Sequence, residues 1–265
     1  MVNIDVEQIS GKYTIKGLLQ IMRLLRAPGG CPWDMEQTHK SIRNNFLEET
    51  YEVVDAIDRD NTADMVEELG DVLMQVIFHS VIAEEGKRFD FSDVVDGVCK
   101  KLVYRHPHVF GDVKADTTEK VLDNWEKLKK IEKEQTTYTD TLKSVPLAFP
   151  ALLRAEKVQK RASKAGYDWE DARGAFDKIK EETGELEEIL SSGDKTRLLE
   201  EVGDLLFSVV NVARLLGINS EEALQYSTGK FVNRFSAAEE KIIADGYDMK
   251  ELSLKQLDEY WEKVK

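Results

Sequence analysis

Two short segments, "EETGE" (181–185) and "EEVGD" (200–204), set acidic side chains three residues apart: Glu182 with Glu185, and Glu201 with Asp204. On a helix that spacing places both carboxylates of a pair on one face. If two such helices fold back on each other, four carboxylates converge. Carboxylates held that close are costly unless paired or bound to a cation. An all-oxygen set selects a hard divalent ion, Mg²⁺ first and Mn²⁺ second. Di-iron bundles differ, because they use a Glu-x-x-His pair and no histidine stands here. A lone Glu-x-x-Glu is usually a solvated helix face. This one is doubled: "EETYE" and "EELGD" repeat it 133 residues upstream, with Glu49, Glu52, Glu68 and Asp71 at the same intervals.

Helical-wheel positions divide the acids further. Val202, Leu205, Val209 and Leu216 form one apolar arc, with Glu201 and Asp204 on its shoulder. In the preceding helix, Ile179, Leu186, Ile189 and Leu190 mark the apolar side, bordered by Glu182 and Glu185. Lys178, one turn before Glu182, shares that stripe. These arcs predict a buried seam flanked by the four acids, with Glu187, Glu188 and Glu200 in water. The "SSGD" break (191–194) allows the antiparallel return.

The elements that must position these residues are helices throughout. Apolar residues recur at helical spacing in segments 14–26, 38–58, 62–84, 92–105 and 118–134, and again in 147–165, 171–192, 195–216, 221–245 and 253–264. No stretch alternates convincingly with period two. Besides the acid motifs, "KLVYR" (101–105) is echoed by "KFVNR" (230–234), and "WEKLK" (125–129) by "WEKVK" (261–265). Four matches in one order indicate a tandem duplication. The expected fold is all-α: a helical domain over 1–130, a polar linker over 131–150 ending in prolines, and a second helical domain over 151–265.

Composition narrows the partners. The 265 residues carry a formal charge of −14, which argues against nucleic acid, whose binders carry surplus Lys and Arg. A small polyphosphate needs only a few basic residues and divalent cations. No apolar run is long enough for a membrane span, and the N-terminus lacks a signal-peptide layout. Two cysteines, Cys31 and Cys99, without C-x-x-C spacing suit a reducing cytoplasm.

The paired acid motifs resemble the ExxE…ExxD signature of MazG-type nucleoside triphosphate pyrophosphohydrolases. "GGCPWDMEQTH" (29–39), "RHPHVFGD" (105–112), "RAEKVQKRASKAGYDW" (154–169) and "DLLFSVVNVARLLG" (204–217) extend that resemblance over nearly the whole chain. It implies an all-α homodimer that hydrolyses nucleoside triphosphates to monophosphate and pyrophosphate with Mg²⁺. Carried over by position, Glu182, Glu185, Glu201 and Asp204 are the metal ligands, with Glu181 beside them. Lys178, Lys230 and Arg234 hold phosphate oxygens. Trp261 and Lys265 match the family's C-terminal aromatic–basic pair, Trp261 stacking on the base, and Lys129 is a weaker counterpart.

Phosphoanhydride hydrolysis needs charge neutralisation and an aligned water more than covalent help. A spare carboxylate, Glu182 or Glu185, would take the proton. The first copy keeps Glu49, Glu52, Glu68, Asp71, Lys101 and Arg105 but has Asn45 where the second has Lys178, so activity is expected mainly in the second. A narrower dUTPase- or dCTPase-like hydrolase and a non-catalytic nucleotide-sensing module are the alternatives. His106 and His108 flank Pro107 and read as a turn, and Trp33 and Trp169 read as loop anchors. Asn211, on the face of Asp204, is a candidate for orienting a ligand.

Overall fold

The computed structural model describes residues 6–9 and 11–265. It divides into two compact units, 1–129 and 130–265. In the first, a two-residue antiparallel pair, β1 (Gln8–Ile9) with β2 (Lys12–Tyr13), precedes α1 (Ile15–Arg26). Then come α2 (Pro32–Glu36), α3 (Arg43–Asp58), α4 (Thr62–Glu85), α5 (Phe91–Arg105), α6 (Pro107–Phe110) and α7 (Thr118–Glu132). The second holds α8 (Tyr138–Lys143), α9 (Ala151–Ser163), α10 (Ala172–Ile189), α11 (Lys195–Leu215), α12 (Ser220–Ala244) and α13 (Leu254–Glu262), with a 3-10 turn at Met249–Glu251. The all-α expectation holds. The β1–β2 pair is a minor addition.

Local chemistry sets the boundaries. Asn61, Asp171, Asp194 and Asn219 each accept from backbone N–H groups of the first turn of their helix. Such caps are worth about 1 kcal/mol each. Gly193, at φ 72°, supplies the left-handed residue that ends the α10 side of the α10–α11 hairpin. Pro107 opens α6 at its first position, where a missing N–H costs nothing, so the anticipated turn at "HPH" becomes a short helix. Within 131–150, α8 packs on α9: Val145 and Thr141 are buried, and Arg161 reaches the Thr141 carbonyl and the Ser144 hydroxyl.

The first unit is built round Met22, Ile42, Ile77, Phe78 and Val81, with Leu18, Leu19, Leu73 and Met74 against them. Full burial of such side chains stabilises by about 1.5–3 kcal/mol each. In the second unit, Ala238, Ile242 and Tyr260 join α12 to α13, and the Tyr260 hydroxyl donates to Asp245 at 2.7 Å.

The expected seam needs correction. Val202, Val209 and Leu216 are exposed, as is Leu190, whereas Ser208 and Val210 are the buried residues of α11. The helix carries apolar side chains on more than one face. Packing against α9 and α10 covers only one of them.

Candidate active site

α10 and α11 form the most extensive helix pair of the second unit, and their hairpin brings the two acid motifs together. Oxygen atoms of Glu182, Glu201 and Asp204 lie within 4.8 Å of one another. Glu182 is buried at 4% exposure, Glu201 is half-buried and Asp204 is exposed. Glu185 stands outside this triangle, exposed, with its charge acting on the Glu201 carboxyl. Burial, and then the charge of Glu185, push the Glu201 carboxyl above its ordinary pKa. Lys178 reaches Glu181 Oε1 and Glu182 Oε1, each at 2.7 Å, and these bonds hold its ammonium charged well above the usual lysine range. Glu187, Glu188 and Glu200 are exposed, as the wheel predicted.

A cavity of about 500 Å³ opens beside the cluster, with Lys178, Glu182 and Asp204 in its wall. Several other lining residues were given no role in the site from spacing or motif, and Trp169 was read only as a loop anchor. Arg214, its side chain only 8% exposed, forks onto Asp168 and also donates to Asn211 Oδ1 at 3.0 and 2.7 Å. The guanidinium holds the Asp168 carboxyl below its usual range. Gln159 donates through Nε2 to the Phe207 carbonyl at 2.8 Å, tying α9 to α11. Trp169 lies so close over Gly174 that a Cβ there would meet its ring at 3.0 Å. The one signal in the sequence was Arg214 itself, a charge set within the apolar run "VVNVARLL".

The remaining carried-over residues sit elsewhere in the second unit. Lys230 lies over the Tyr226 ring and Trp261 packs on Phe231, ring centroids 5.3 Å apart. Arg234 is half-buried on α12, and Lys265 pairs with Glu262. None of these four lines the cavity. Glu181 is exposed and bound to Lys178.

In the first unit, Glu49, Glu68 and Asp71 form the equivalent cluster, all half-buried, and the charge of Glu52 acts on Glu68 as that of Glu185 does on Glu201. Burial and then Asp71 raise the Glu49 pKa, opposed by a hydrogen bond from Gln75. Gln75, buried at 4% exposure, occupies the position of Ser208. Lys101 is exposed on α5. Arg105 is buried with its guanidinium over the Trp125 ring, on which Lys129 also stacks. Asn211 and Arg214 correspond, at the same 133-residue interval, to Phe78 and Val81, which belong to the first unit's apolar core.

The MazG nucleotide pyrophosphohydrolase domain model matches the chain twice, over residues 37–110 and 174–237. Those intervals contain both acid clusters. The chain is 46% identical over 248 residues to the nucleoside triphosphate pyrophosphohydrolase/pyrophosphatase MazG of Thermotoga maritima, covering 94% of each. It is 44% identical over 254 residues to the nucleoside triphosphate pyrophosphohydrolase of Escherichia coli, covering 95% of this chain and 97% of that one. A Bacillus subtilis protein, YabN, is 46% identical over 246 residues, which make up 92% of this chain but half of YabN. The duplicated acid hairpin, the all-α fold and these likenesses agree, and the chain belongs to the MazG nucleotide pyrophosphohydrolase family.

Proposed function

We propose that the second helical domain, residues 151–265 within the second unit, hydrolyses nucleoside triphosphates with broad specificity to monophosphates and pyrophosphate, as a nucleotide-pool house-cleaning enzyme. The observation that carries this reading is the convergence of Glu182, Glu201 and Asp204 at the wall of a cavity that also holds Lys178. The names of the relatives support the same reaction.

The donor set fits a divalent cation. Three carboxylates within 4.8 Å of one another, with Glu185 pressing a fourth onto Glu201, leave an excess of negative charge that Lys178 balances only in part. Oxygen-only ligands favour Mg²⁺, then Mn²⁺. Glu182, Glu201 and Asp204 would hold it, with Glu185 closing the set. Such an ion supplies charge neutralisation for the phosphates and acidifies bound water.

The chain's own groups do the rest. Lys178 lies beside Glu182, placed to pair with a phosphate oxygen once substrate arrives. The carboxylate left free of the ion, Glu185 first and Glu182 second, would take the proton of an attacking water. Lys230 and Arg234 are assigned to the outer phosphates, with Glu181 holding Lys178. Trp261, Lys265 and Lys129 are retained as nucleotide contacts on the family resemblance alone. We assign residues 1–130 to a non-catalytic copy whose Glu49, Glu52, Glu68 and Asp71 can still hold a cation, with Lys101 and Arg105 as its basic pair.

A homodimer accounts for the exposed stripe Leu199, Val202, Leu206 and Val209, spaced three and four residues apart along α11. Unpaired Cys31 and Cys99 support a cytoplasmic setting. Among the described residues no helix is long and apolar enough to cross a membrane.

The test is pyrophosphate release from a panel of ribo- and deoxynucleoside triphosphates with Mg²⁺, comparing wild type with Glu201→Gln and Glu68→Gln. Loss in Glu201→Gln alone is expected. A wild type that releases no pyrophosphate from any triphosphate would sink the reading.

A further inference from the structure

His39 and His79 meet in the first unit, away from its acid cluster. His39 stands in the short segment between α2 and α3, just ahead of the core residue Ile42. His79 stands on α4 between Phe78 and Ser80, which are both buried. The two Nδ1 atoms are 2.7 Å apart and the rings are parallel within 3°. That is a hydrogen bond, which one ring must donate and the other accept, so the facing nitrogens hold one proton between them. His39 Nε2, on the far side of its ring, is buried with no hydrogen-bond partner among the described residues. A further proton on His39 therefore finds nothing to bind, and a buried polar group left so is costly.

The surroundings disfavour extra charge. From α1 comes Arg26, itself paired with Glu85 of α4, and from the turn after α4 comes Arg88. From α3 comes an uncharged ring, Phe46, edge-on to His79 with centroids 5.9 Å apart. Burial, and then the charges of Arg88 and Arg26, hold the His39 imidazole below its ordinary pKa. Burial, and then His39, do the same to His79. The contact is also the long-range tie of its segment. Within residues 37–42 the bonds are local: the Thr38 N–H donates to Ser41 Oγ, and the Ser41 hydroxyl donates to Gln37. The histidine pair spans 40 residues and fastens that segment to α4. At the 133-residue interval the second unit has Ala172 and Val212, so the pair belongs to the first copy alone.

We propose that the His39–His79 contact is an acid-released latch on the first unit. With one proton between the facing nitrogens, it fastens segment 38–42 to α4. With a proton on each, two N–H groups point at one another and the latch opens. Once opened, the imidazoles titrate near about 6.5 and take up protons more readily than the closed pair does. The latch is therefore at full strength above that pH and weakens as pH falls from there toward the lowered values. Each proton taken up on opening raises the opening constant by up to about tenfold per pH unit. The first copy thereby gains a sensitivity to acid that the second lacks, and this holds whatever reaction the second performs.

The test is hydrogen exchange read by mass spectrometry on the full-length chain at pH 7.5 and 5.5, corrected for the intrinsic pH dependence of exchange. Wild type is compared with the double variant His39→Gln/His79→Gln, whose amides can share a hydrogen bond but do not titrate. In wild type, peptides covering 38–46 and 75–82 are expected to lose protection at least about tenfold on acidification. In the variant the same peptides should stay within about twofold, and peptides from α10 and α11 should respond equally in both proteins. An equal loss in wild type and variant overturns the proposal, as does no loss in wild type. Should the double variant fail to fold, an NMR titration of the wild-type imidazoles decides. Both His39 and His79 titrating below about 6.5 supports the latch, and either one titrating at or above that value overturns it.

Discussion

Lys178 and Glu182 stand one helical turn apart on α10, the ammonium 2.7 Å from a carboxylate that is almost wholly buried. The equivalent pair in the first unit is Asn45 and Glu49. There the carboxylate has no lysine beside it on the helix, and its pKa rises through burial and the nearby Asp71. The two acid hairpins thus differ at this position: the second carries an ammonium beside its buried carboxylate, the first an amide.

Replacing Lys178 by Met should lower kcat/KM for nucleoside triphosphates by about 10²–10³, the usual cost of losing one preorganised contact to developing charge. Steady-state kinetics at saturating Mg²⁺ checks this. Lys178→Arg, which keeps the charge, should recover part of the loss. An unchanged kcat/KM in Lys178→Met would remove the residue from the phosphate site.

Divalent cation should stabilise the protein through the acid cluster. At a free concentration a hundredfold above Kd, the gain is about 2.7 kcal/mol. Glu201→Gln removes one of the crowded charges, so in chelator it should melt no lower than wild type, and its Mg²⁺-dependent rise should shrink. Calorimetric scans with EDTA and with Mg²⁺ separate these effects. An equal Mg²⁺ shift in both proteins would place the ion elsewhere.

The Asp168–Arg214 pair should leave a pH signature. Because Arg214 holds the Asp168 pKa below its ordinary value of 3.8, the folded protein binds this proton less readily than the unfolded chain does. The pair's contribution is therefore fully present above the unfolded pKa and is lost as pH falls through the lowered one. Asp168→Asn should cost stability at pH 7, by about 1–3 kcal/mol for an interaction at a largely desolvated arginine. The gap to wild type should begin to narrow as pH falls below about 4. Denaturant titrations at pH 7, 5 and 3 measure it, and a gap no smaller at pH 3 than at pH 7 would argue against the ion pair as its source.

Val209→Asp places a charge in the exposed α11 stripe without touching the cavity wall. If that stripe covers a second copy of the chain, light scattering should show a shift toward monomer. A variant with the same mass as wild type would assign the stripe another role.

Much of this molecule is written in its local sequence. Asp194 and Asn219 cap the helices that follow them, Gly193 turns the hairpin, and the 133-residue repeat of acid pairs exposes both the duplication and the cluster. Each of these depends on neighbours within a turn or two, and the periodicity of a helix makes them legible. The buried seam of α11 was not legible in this way. Its sequence offers apolar side chains on several faces, and only packing against α9 and α10 chose the face holding Ser208 and Val210. Gln159, Asp168 and Arg214 were hidden for a related reason. Asp168 meets Arg214 across 46 residues and Gln159 meets Phe207 across 48, so helical spacing does not show which partner each one finds.

The sequence by itself therefore determined the helices, the duplication and the acid chemistry, since those follow from side-chain type and helical spacing. Tertiary structure alone decided that the second copy's acid hairpin borders a cavity. A cavity is what remains when distant helices meet without filling the space between them, and Phe78 fills where Asn211 does not.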